Sequence, residues 1–199
     1  MTLSQRFGGW ILGLFGWRVV PRATIPDKCV VVAYPHTSNW DFPLMYFGSM
    51  VYGKKLNWLG KAELFRSFMG PIMRRLGGIS VKRDSPQGLV QQIADAFANV
   101  PTLRLVIPPE GTRKKTDYWK SGFYRIALAA KVPVHLGRVC IATKTVDFGD
   151  PLPLTGDVHI DMDRIRAWYE GAVGVNPASM GTIRLRDEDV AAEAGTKAL

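Results

Sequence analysis

The order of short apolar runs and longer amphipathic stretches restricts the fold of this chain more than any other feature. Runs rich in Val, Ile and Leu alternate with stretches whose apolar residues recur at helical spacing. The strand-like runs cover residues 29–34, 56–60, 77–81, 103–108, 132–139 and 140–149, and the helix-like stretches cover residues 41–52, 62–75, 85–100, 121–131 and 162–173. This alternation predicts a single α/β domain in which helices flank a mixed, mostly parallel sheet. A chain of 199 residues is a suitable length for one such domain.

Polar loops follow two of the predicted strands, and both hold side chains suited to chemistry. Ligands of parallel sheets bind beyond the carboxyl ends of the strands. The loop of residues 35–41 reads "PHTSNWD", and the loop of residues 108–115 reads "PPEGTRKK". We therefore expect the two loops to lie at the same edge of the sheet.

The His36 and Asp41 pair in the first loop is suited to general base catalysis. It straddles a strand-to-helix turn in which Thr37, Ser38 or Asn39 can cap the following helix. Such a turn can bring the Asp41 carboxylate to the His36 imidazole, hold the ring tautomer and leave the other ring nitrogen free as a base. No serine or cysteine stands in a GxSxG elbow, so we expect the base to act on a substrate hydroxyl.

The second loop and a neighbouring strand offer ligands for a phosphate group. Gly111 permits a backbone conformation that exposes N–H groups, and Arg113 offers a planar guanidinium fork. Arg83 follows the strand at residues 77–81, so we expect it to project from the carboxyl end of that strand. An ordinary basic loop is the alternative interpretation of "PPEGTRKK".

The charge of the chain is unevenly distributed and indicates an anionic partner. The formal net charge is +9, and residues 54–83 hold eight Lys and Arg against Glu63 alone. Clusters of this kind are typical of proteins that bind phosphate, nucleic acid or a membrane surface. Because apolar residues recur at helical spacing in the same segment, we expect an anionic membrane surface and no nucleic acid.

The N-terminal stretch "RFGGWILGLFGWRVVP" predicts a short amphipathic helix at a membrane interface, which we assign to residues 1–20. Its apolar run from Phe7 to Trp17 is too short for the roughly 20 residues of a spanning helix. No small-residue cleavage site follows, so a signal peptide is not expected. Tryptophans between Arg6 and Arg18 suit the headgroup region. Packing of the same helix on the domain is the alternative, and one helix can do both.

Several other polar or reactive residues favour structural roles. Cys29 and Cys140 lie in apolar runs, which predicts two buried thiols in a reducing cytosol. Asp157, His159 and Asp161 would share one face of an extended segment, but the run lacks the glycine and distal glutamate of a calcium loop. We therefore expect no metal site. His135 alternates with apolar strand residues and is expected to be packed in the core.

Several of these stretches carry a resemblance to a known family. "HTSNWD" is similar to the His-x4-Asp motif of the glycerolipid acyltransferases, of the lysophosphatidic acid acyltransferase type, and "PPEGTR" is similar to their downstream Glu-Gly-Thr-Arg motif. "GGISVKR" resembles the block between these motifs, and "VPVHLGRV" resembles a later strand of the family. The resemblance runs from about Cys29 to Val139.

The resemblance implies transfer of a fatty acyl group from a thioester, on CoA or acyl carrier protein, to a hydroxyl of a lysolipid such as 1-acylglycerol-3-phosphate. His36 would be the general base and Asp41 its orienting partner. The implied phosphate site of the acceptor consists of Arg83, Glu110, Gly111, Thr112 and Arg113. No cofactor, metal or covalent intermediate is implied, since the thioester is a co-substrate. Residues 21–185 would form the acyltransferase domain, followed by a frayed tail at 186–199.

Departures from the family pattern leave the acceptor open. Pro35 stands where the family often has Asn, and Lys114 stands where Ser is common. A lysophospholipid, an aminolipid or a glycolipid precursor is therefore also a possible acceptor. The expected location is peripheral, on the cytoplasmic face of a membrane. The alternative functions are a non-catalytic basic module that binds lipid or nucleic acid, and an acyl thioesterase in which water replaces the lysolipid.

Overall fold

The computed structural model describes residues 1–20, 25–81 and 86–189, without the side chains of residues 86 and 87. The helices are α1 Leu3–Leu14, α2 Asp41–Val51, α3 Ala62–Arg66, α4 Gly70–Arg75, α5 Pro86–Asn99, α6 Gly122–Ala130 and α7 Val158–Tyr169. The strands are β1 Arg18–Val19, β2 Lys28–Ala33, β3 Asn57–Lys61, β4 Gly78–Val81, β5 Leu103–Ile107, β6 Val134–Cys140 and β7 Thr145–Leu152. Arg83 and residues 190–199 of the predicted tail lie outside the described residues.

The described strands form one seven-stranded sheet in the order β1-β7-β6-β2-β5-β3-β4. Neighbouring strands pair in parallel except β6 and β7, which are antiparallel. Strands β2, β3, β4, β5 and β6 therefore end at one edge, which we call the carboxyl edge, and the opposite edge is the amino edge. The predicted α/β fold with a mixed, mostly parallel sheet and flanking helices is confirmed.

Strand β2 is buried on both faces of the sheet. Val30 and Val32 contact the apolar layer under α5, α6 and α7, whereas Cys29 and Val31 contact the layer under α1 and α2. All four side chains are fully buried. A central parallel strand needs apolar residues on both faces, which explains the unbroken run in the sequence. Cys29 and Cys140 are both buried free thiols, as predicted.

The helix predicted over residues 62–75 is two helices, α3 and α4. α3 ends at Arg66, and α4 begins at Gly70 with Pro71 in its first turn. Proline suits a first helical turn because the N–H that it lacks has no acceptor there. Pro71 therefore restarts the helix after a turn at residues 67–69.

The N-terminal segment is shorter as a helix than the predicted range of residues 1–20. α1 ends at Leu14, and the chain then forms β1, which pairs in parallel with β7. A strand of two residues has no periodicity for a sequence pattern to show.

The segment around Asp157 and Asp161 is helical, so Asp157, His159 and Asp161 do not share one face of an extended run. α7 begins at Val158, and the Asp157 carboxylate caps it by accepting the backbone N–H groups of His159 and Ile160, at 2.9 and 3.1 Å. The helix predicted over residues 162–173 therefore begins earlier, at Val158, and residues 158–161 form its first turn.

Candidate active site

The turn between β2 and α2 brings His36 and Asp41 together at the carboxyl edge. The Nδ1 atom of His36 lies 3.4 Å from Oδ2 of Asp41. That oxygen also accepts the backbone N–H groups of Thr37 and Ser38, at 2.7 and 2.8 Å. These two hydrogen bonds fix the carboxylate inside its own turn. Contact through Nδ1 leaves Nε2 of His36 available on the other side of the ring.

The burial of this pair is unequal. The side chain of His36 is 23 % exposed and that of Asp41 is 7 % exposed. Oδ1 of Asp41 is buried, and no donor within the described residues reaches it. The carboxylate therefore has hydrogen-bonding capacity that the fold does not use.

The predicted capping of α2 by Thr37, Ser38 or Asn39 is not observed. The N-cap residue is Trp40, and no side chain caps the helix in the described structure. Ser38 instead accepts the backbone N–H of Trp40 through its hydroxyl, at 3.2 Å. Polar residues in the turn order the turn itself, and Asp41 in the first turn of α2 supplies the negative charge that a helix N-terminus favours.

Glu110 has a different setting from the phosphate contact predicted for it. It is 1 % exposed and lies beneath the His36 turn. Its Oε2 accepts the backbone N–H of His36 at 2.7 Å, and its Oε1 accepts that of Gly181 at 3.4 Å. Burial raises the pKa of the Glu110 carboxyl, and these N–H groups oppose that shift. Glu110 therefore connects the two loops through the backbone beneath the His36 side chain.

The remaining residues of the second loop lie beside a cavity. Gly111 has a φ of 65°, in the left-handed region that favours glycine. Its own N–H donates to the carbonyl of Pro108 at 3.1 Å, so it is not one of the exposed N–H groups that the sequence predicted. Arg113 is exposed, and its guanidinium donates to Oδ1 of Asn39 in the first loop. Thr112 and Arg113 both line the cavity.

The cavity has a volume of about 870 Å³ and contacts both loops. Its polar lining includes His36, Asp41, Thr112, Arg113, Lys114 and Lys120. Its apolar lining comes mainly from α2, β3, β5 and α6, and includes Met45, Leu56, Trp58, Leu59, Val106 and Ile126. A cavity of this size and lining can hold an apolar chain with polar groups at one end. Lys114 and Lys120 were absent from the predicted site, although Lys114 belongs to the basic loop "PPEGTRKK".

Residues 174–182, near the C-terminal end, form hydrogen bonds with the first loop. The backbone N–H of Asn176 donates to Oγ1 of Thr37 at 3.0 Å, and its side-chain amide donates to the Thr37 carbonyl at 2.9 Å. The Tyr34 hydroxyl donates to the Gly181 carbonyl at 3.1 Å. Since Gly181 also donates to Glu110, this segment ties both loops together. No sequence pattern indicated these contacts.

Other candidate residues lie away from the cavity. His135 is fully buried, as predicted, and its ring stacks on Phe148 with centroids 5.9 Å apart. Within residues 1–20, 25–81 and 86–189, no three His, Cys, Asp or Glu side chains are grouped so that they could hold a metal ion.

Comparisons with known proteins agree with this architecture. A family model described as Acyltransferase matches residues 17–135, which include both loops. The crystal structure of the 1-acyl-sn-glycerophosphate (LPA) acyltransferase PlsC from Thermotoga maritima is similar, with a TM-score of 0.58 and 18 % sequence identity. The match covers 84 % of this chain and 76 % of that chain, and at this identity it shows a shared fold. No curated protein sequence matches the chain.

Proposed function

Because this chain belongs to the acyltransferase family, we propose that it transfers an acyl group from a thioester to a hydroxyl of a lysolipid, with His36 as the general base. The observation that carries the proposal is the contact between His36 and Asp41 at the polar end of an apolar cavity. The same geometry gives each residue of the pair a separate role.

The proposed reaction is a direct displacement. Nε2 of His36 removes the proton of the acceptor hydroxyl while the hydroxyl oxygen attacks the thioester carbonyl. The carbon–sulfur bond then breaks, an ester forms, and the leaving thiolate takes up the proton from the imidazolium. The Asp41 carboxylate holds the Nδ1–H tautomer and stabilises the positive charge of the ring while it carries that proton.

The cavity suits the two ends of a lipid substrate. Apolar side chains such as Met45 and Leu56 form a wall for an acyl chain, since apolar surface gains free energy when it leaves water. Arg113, Lys114 and Lys120 offer cationic groups to an acceptor phosphate beside the base. Arg83 stays a predicted member of this group.

We propose an anchoring role for Glu110 in place of the phosphate contact. A buried carboxylate repels a phosphate dianion, whereas a carboxylate under the His36 peptide holds the base in position. This role follows from its 2.7 Å contact with the backbone N–H of His36.

We propose a peripheral position on the cytoplasmic face of a membrane, and the exposed face of α1 supports the contact with the bilayer. Gly8 lets α1 pack closely on α2, since a Cβ atom there would lie 2.9 Å from the Phe47 carbonyl. The outward stripe of α1 is apolar and consists of Leu3, Phe7, Trp10 and Leu14, which are between 50 and 84 % exposed. Such a stripe suits the bilayer interface. Among the described helices, none combines the length and hydropathy required to span a bilayer.

The test is release of free thiol from acyl-CoA or from acyl carrier protein loaded with an acyl group, with a panel of lysolipids as acceptors. The proposal predicts release that depends on the lysolipid and appearance of the acylated product. Release without any acceptor would identify a thioesterase. No release with any pair, from folded protein that binds vesicles or nucleic acid, would identify a binding module.

A further inference from the structure

The α3–α4 hairpin, residues 62–75, presents apolar side chains to solvent at the carboxyl edge. Phe68 lies in the turn between the two helices and is 89 % exposed. Leu64 on α3 and Ile72 on α4 are 40 and 48 % exposed. Together Phe68, Leu64 and Ile72 leave apolar surface in water on one hairpin, and exposed apolar side chains grouped in this way mark an interaction site.

The base of the hairpin is packed firmly on the sheet. Phe65 is 5 % exposed, and its ring fits against two glycines. A Cβ atom on Gly60 or Gly78 would lie 2.7 or 2.9 Å from that ring. A Cβ atom on Gly70 would lie 2.3 Å from the Phe65 carbonyl. The packing of Phe65 therefore holds Phe68 outward.

The hairpin stands beside the cavity. α3 begins directly after β3, whose Trp58 lines the cavity together with His36. The Trp58 ring contacts Phe65 of the hairpin and Phe42 of α2, with centroids 6.0 Å apart in each case. Phe42 is itself 47 % exposed. Exposed apolar side chains therefore lie on two elements around the site.

The charge around the hairpin is positive. Glu63 is the acidic residue of the segment, and the basic residues are Lys61, Arg66, Arg74 and Arg75. Exposed arginines on the same hairpin as a protruding aromatic ring match the anionic headgroups and the acyl region beneath them, because a guanidinium pairs with phosphate while the ring enters the apolar layer.

We propose that the α3–α4 hairpin inserts Phe68 into an anionic bilayer and thereby fixes the cavity over the lipid surface. This inference rests on the proposed function, since an acceptor held in a bilayer must enter the cavity from the membrane side. The hairpin is a contact additional to the α1 stripe. It lies next to the cavity, so it orients the site, whereas α1 packs on α2 and β1.

A fluorescent probe tests the insertion directly. An environment-sensitive thiol label is attached to Phe68→Cys and, as the matched control, to Ile160→Cys. The native thiols are buried. Ile160 is 52 % exposed near the start of α7, which follows β7 at the amino edge. On phosphatidylglycerol vesicles the emission of the probe at position 68 should shift to the blue, and the probe at position 160 should not respond. An unshifted probe at position 68 on vesicle-bound protein would overturn the inference.

A second variant measures the contribution of the ring. Phe68→Ser should weaken partition onto phosphatidylglycerol vesicles about tenfold, the effect expected from loss of part of one buried aromatic side chain. Ile160→Ser should partition like the unchanged protein. Turnover of a short-chain soluble acceptor should stay the same in both variants. Equal partition of both variants would contradict the inference, while absence of acceptor-dependent turnover in the unchanged protein would contradict the proposed function instead.

Discussion

Two buried aspartates at opposite edges of the sheet use their carboxylates in opposite ways. Asp161, in the first turn of α7, is fully buried and accepts hydrogen bonds on both oxygens. The Tyr124 hydroxyl donates at 2.9 Å, the Thr155 hydroxyl and N–H at 3.0 Å, and the Gly156 N–H at 3.2 Å. Asp41 accepts two N–H groups on one oxygen, and the same oxygen faces His36.

The contrast supports a structural role for Asp161 and the proposed catalytic role for Asp41. All donors of Asp161 belong to the fold, so the charge of Asp161 connects α6, α7 and the loop between β7 and α7. Oδ1 of Asp41 receives no donor within the described residues, although it is buried. A buried oxygen without a partner costs free energy, so its presence next to an imidazole fits a group held ready for chemistry.

The largest expected effect comes from removal of the base. His36→Ala should lower acyl transfer about 10²- to 10⁴-fold, the usual contribution of general base catalysis, and should leave the thermal midpoint close to that of the unchanged protein. His159→Ala is the matched control, because His159 lies in α7 at the amino edge. Retention of more than about a tenth of the turnover by His36→Ala would exclude His36 as the base.

Removal of a contact between residues 174–182 and the His36 turn should lower turnover by a smaller factor. Asn176→Ala removes the amide that donates to the Thr37 carbonyl, so the turn under Asp41 becomes less well positioned. We expect kcat to fall about 10- to 100-fold with little change in the KM of the donor. Ser179→Ala in the same segment is the control. A rise in the donor KM with kcat unchanged would place Asn176 in substrate binding and not in positioning.

The acceptor side of the site is tested through Arg113. Arg113→Ala should raise the acceptor KM about tenfold through loss of a charge-assisted hydrogen bond, and Arg113→Lys should restore part of it. Lys115→Ala is the control, since Lys115 is exposed on the same loop. If the acceptor KM of Arg113→Ala stays unchanged, the phosphate is held by other cations of the cavity, such as Lys120.

The buried His135 should make the stability of the protein depend on pH. Burial lowers the pKa of His135 from 6.5 to about 4, with a small opposing effect of Asp150. Between these values the unfolded chain binds a proton that the folded chain does not, so the free energy of unfolding falls as the pH falls from 6.5 toward 4. The slope is about 1.4 kcal/mol per pH unit.

Thermal midpoints from pH 7 to pH 5 in the unchanged protein and in His135→Phe measure this contribution. The variant does not titrate at position 135, so its midpoint should fall less over the same range. If the midpoint depends on pH equally in the two proteins, His135 takes up a proton in the folded state as it does in the unfolded state.

Long apolar runs made most of the fold predictable. The run at residues 29–34 corresponds to β2 within one residue, because a strand buried on both faces must be apolar throughout. The break between α3 and α4 was missed by the prediction of one helical stretch at residues 62–75, although Pro71 was a possible signal of a new first turn. Strand β1 was missed, since two residues that pair with β7 carry no local pattern.

The candidate site was predictable where its parts are local. His36 and Asp41 are five positions apart in one turn, so their spacing could be interpreted in the sequence. The contacts of Asn176 with Thr37 and of Gly181 with Tyr34 join residues that are 139 and 147 positions apart. Such contacts form only when the folded chain brings residues 174–182 back to the carboxyl edge, and no short sequence pattern predicts that position.

The most direct test of the central claim is a paired measurement on Asp41→Asn and Asp161→Asn. For each variant, acceptor-dependent thiol release and the thermal midpoint are measured on the same preparation. We predict that Asp41→Asn loses at least about 10²-fold in turnover with a nearly unchanged midpoint. Asp161→Asn should keep the turnover of its folded fraction while the free energy of unfolding falls by about 2 kcal/mol. Full turnover in Asp41→Asn, or an unchanged midpoint in Asp161→Asn together with lost turnover, would contradict the separate roles of the two carboxylates.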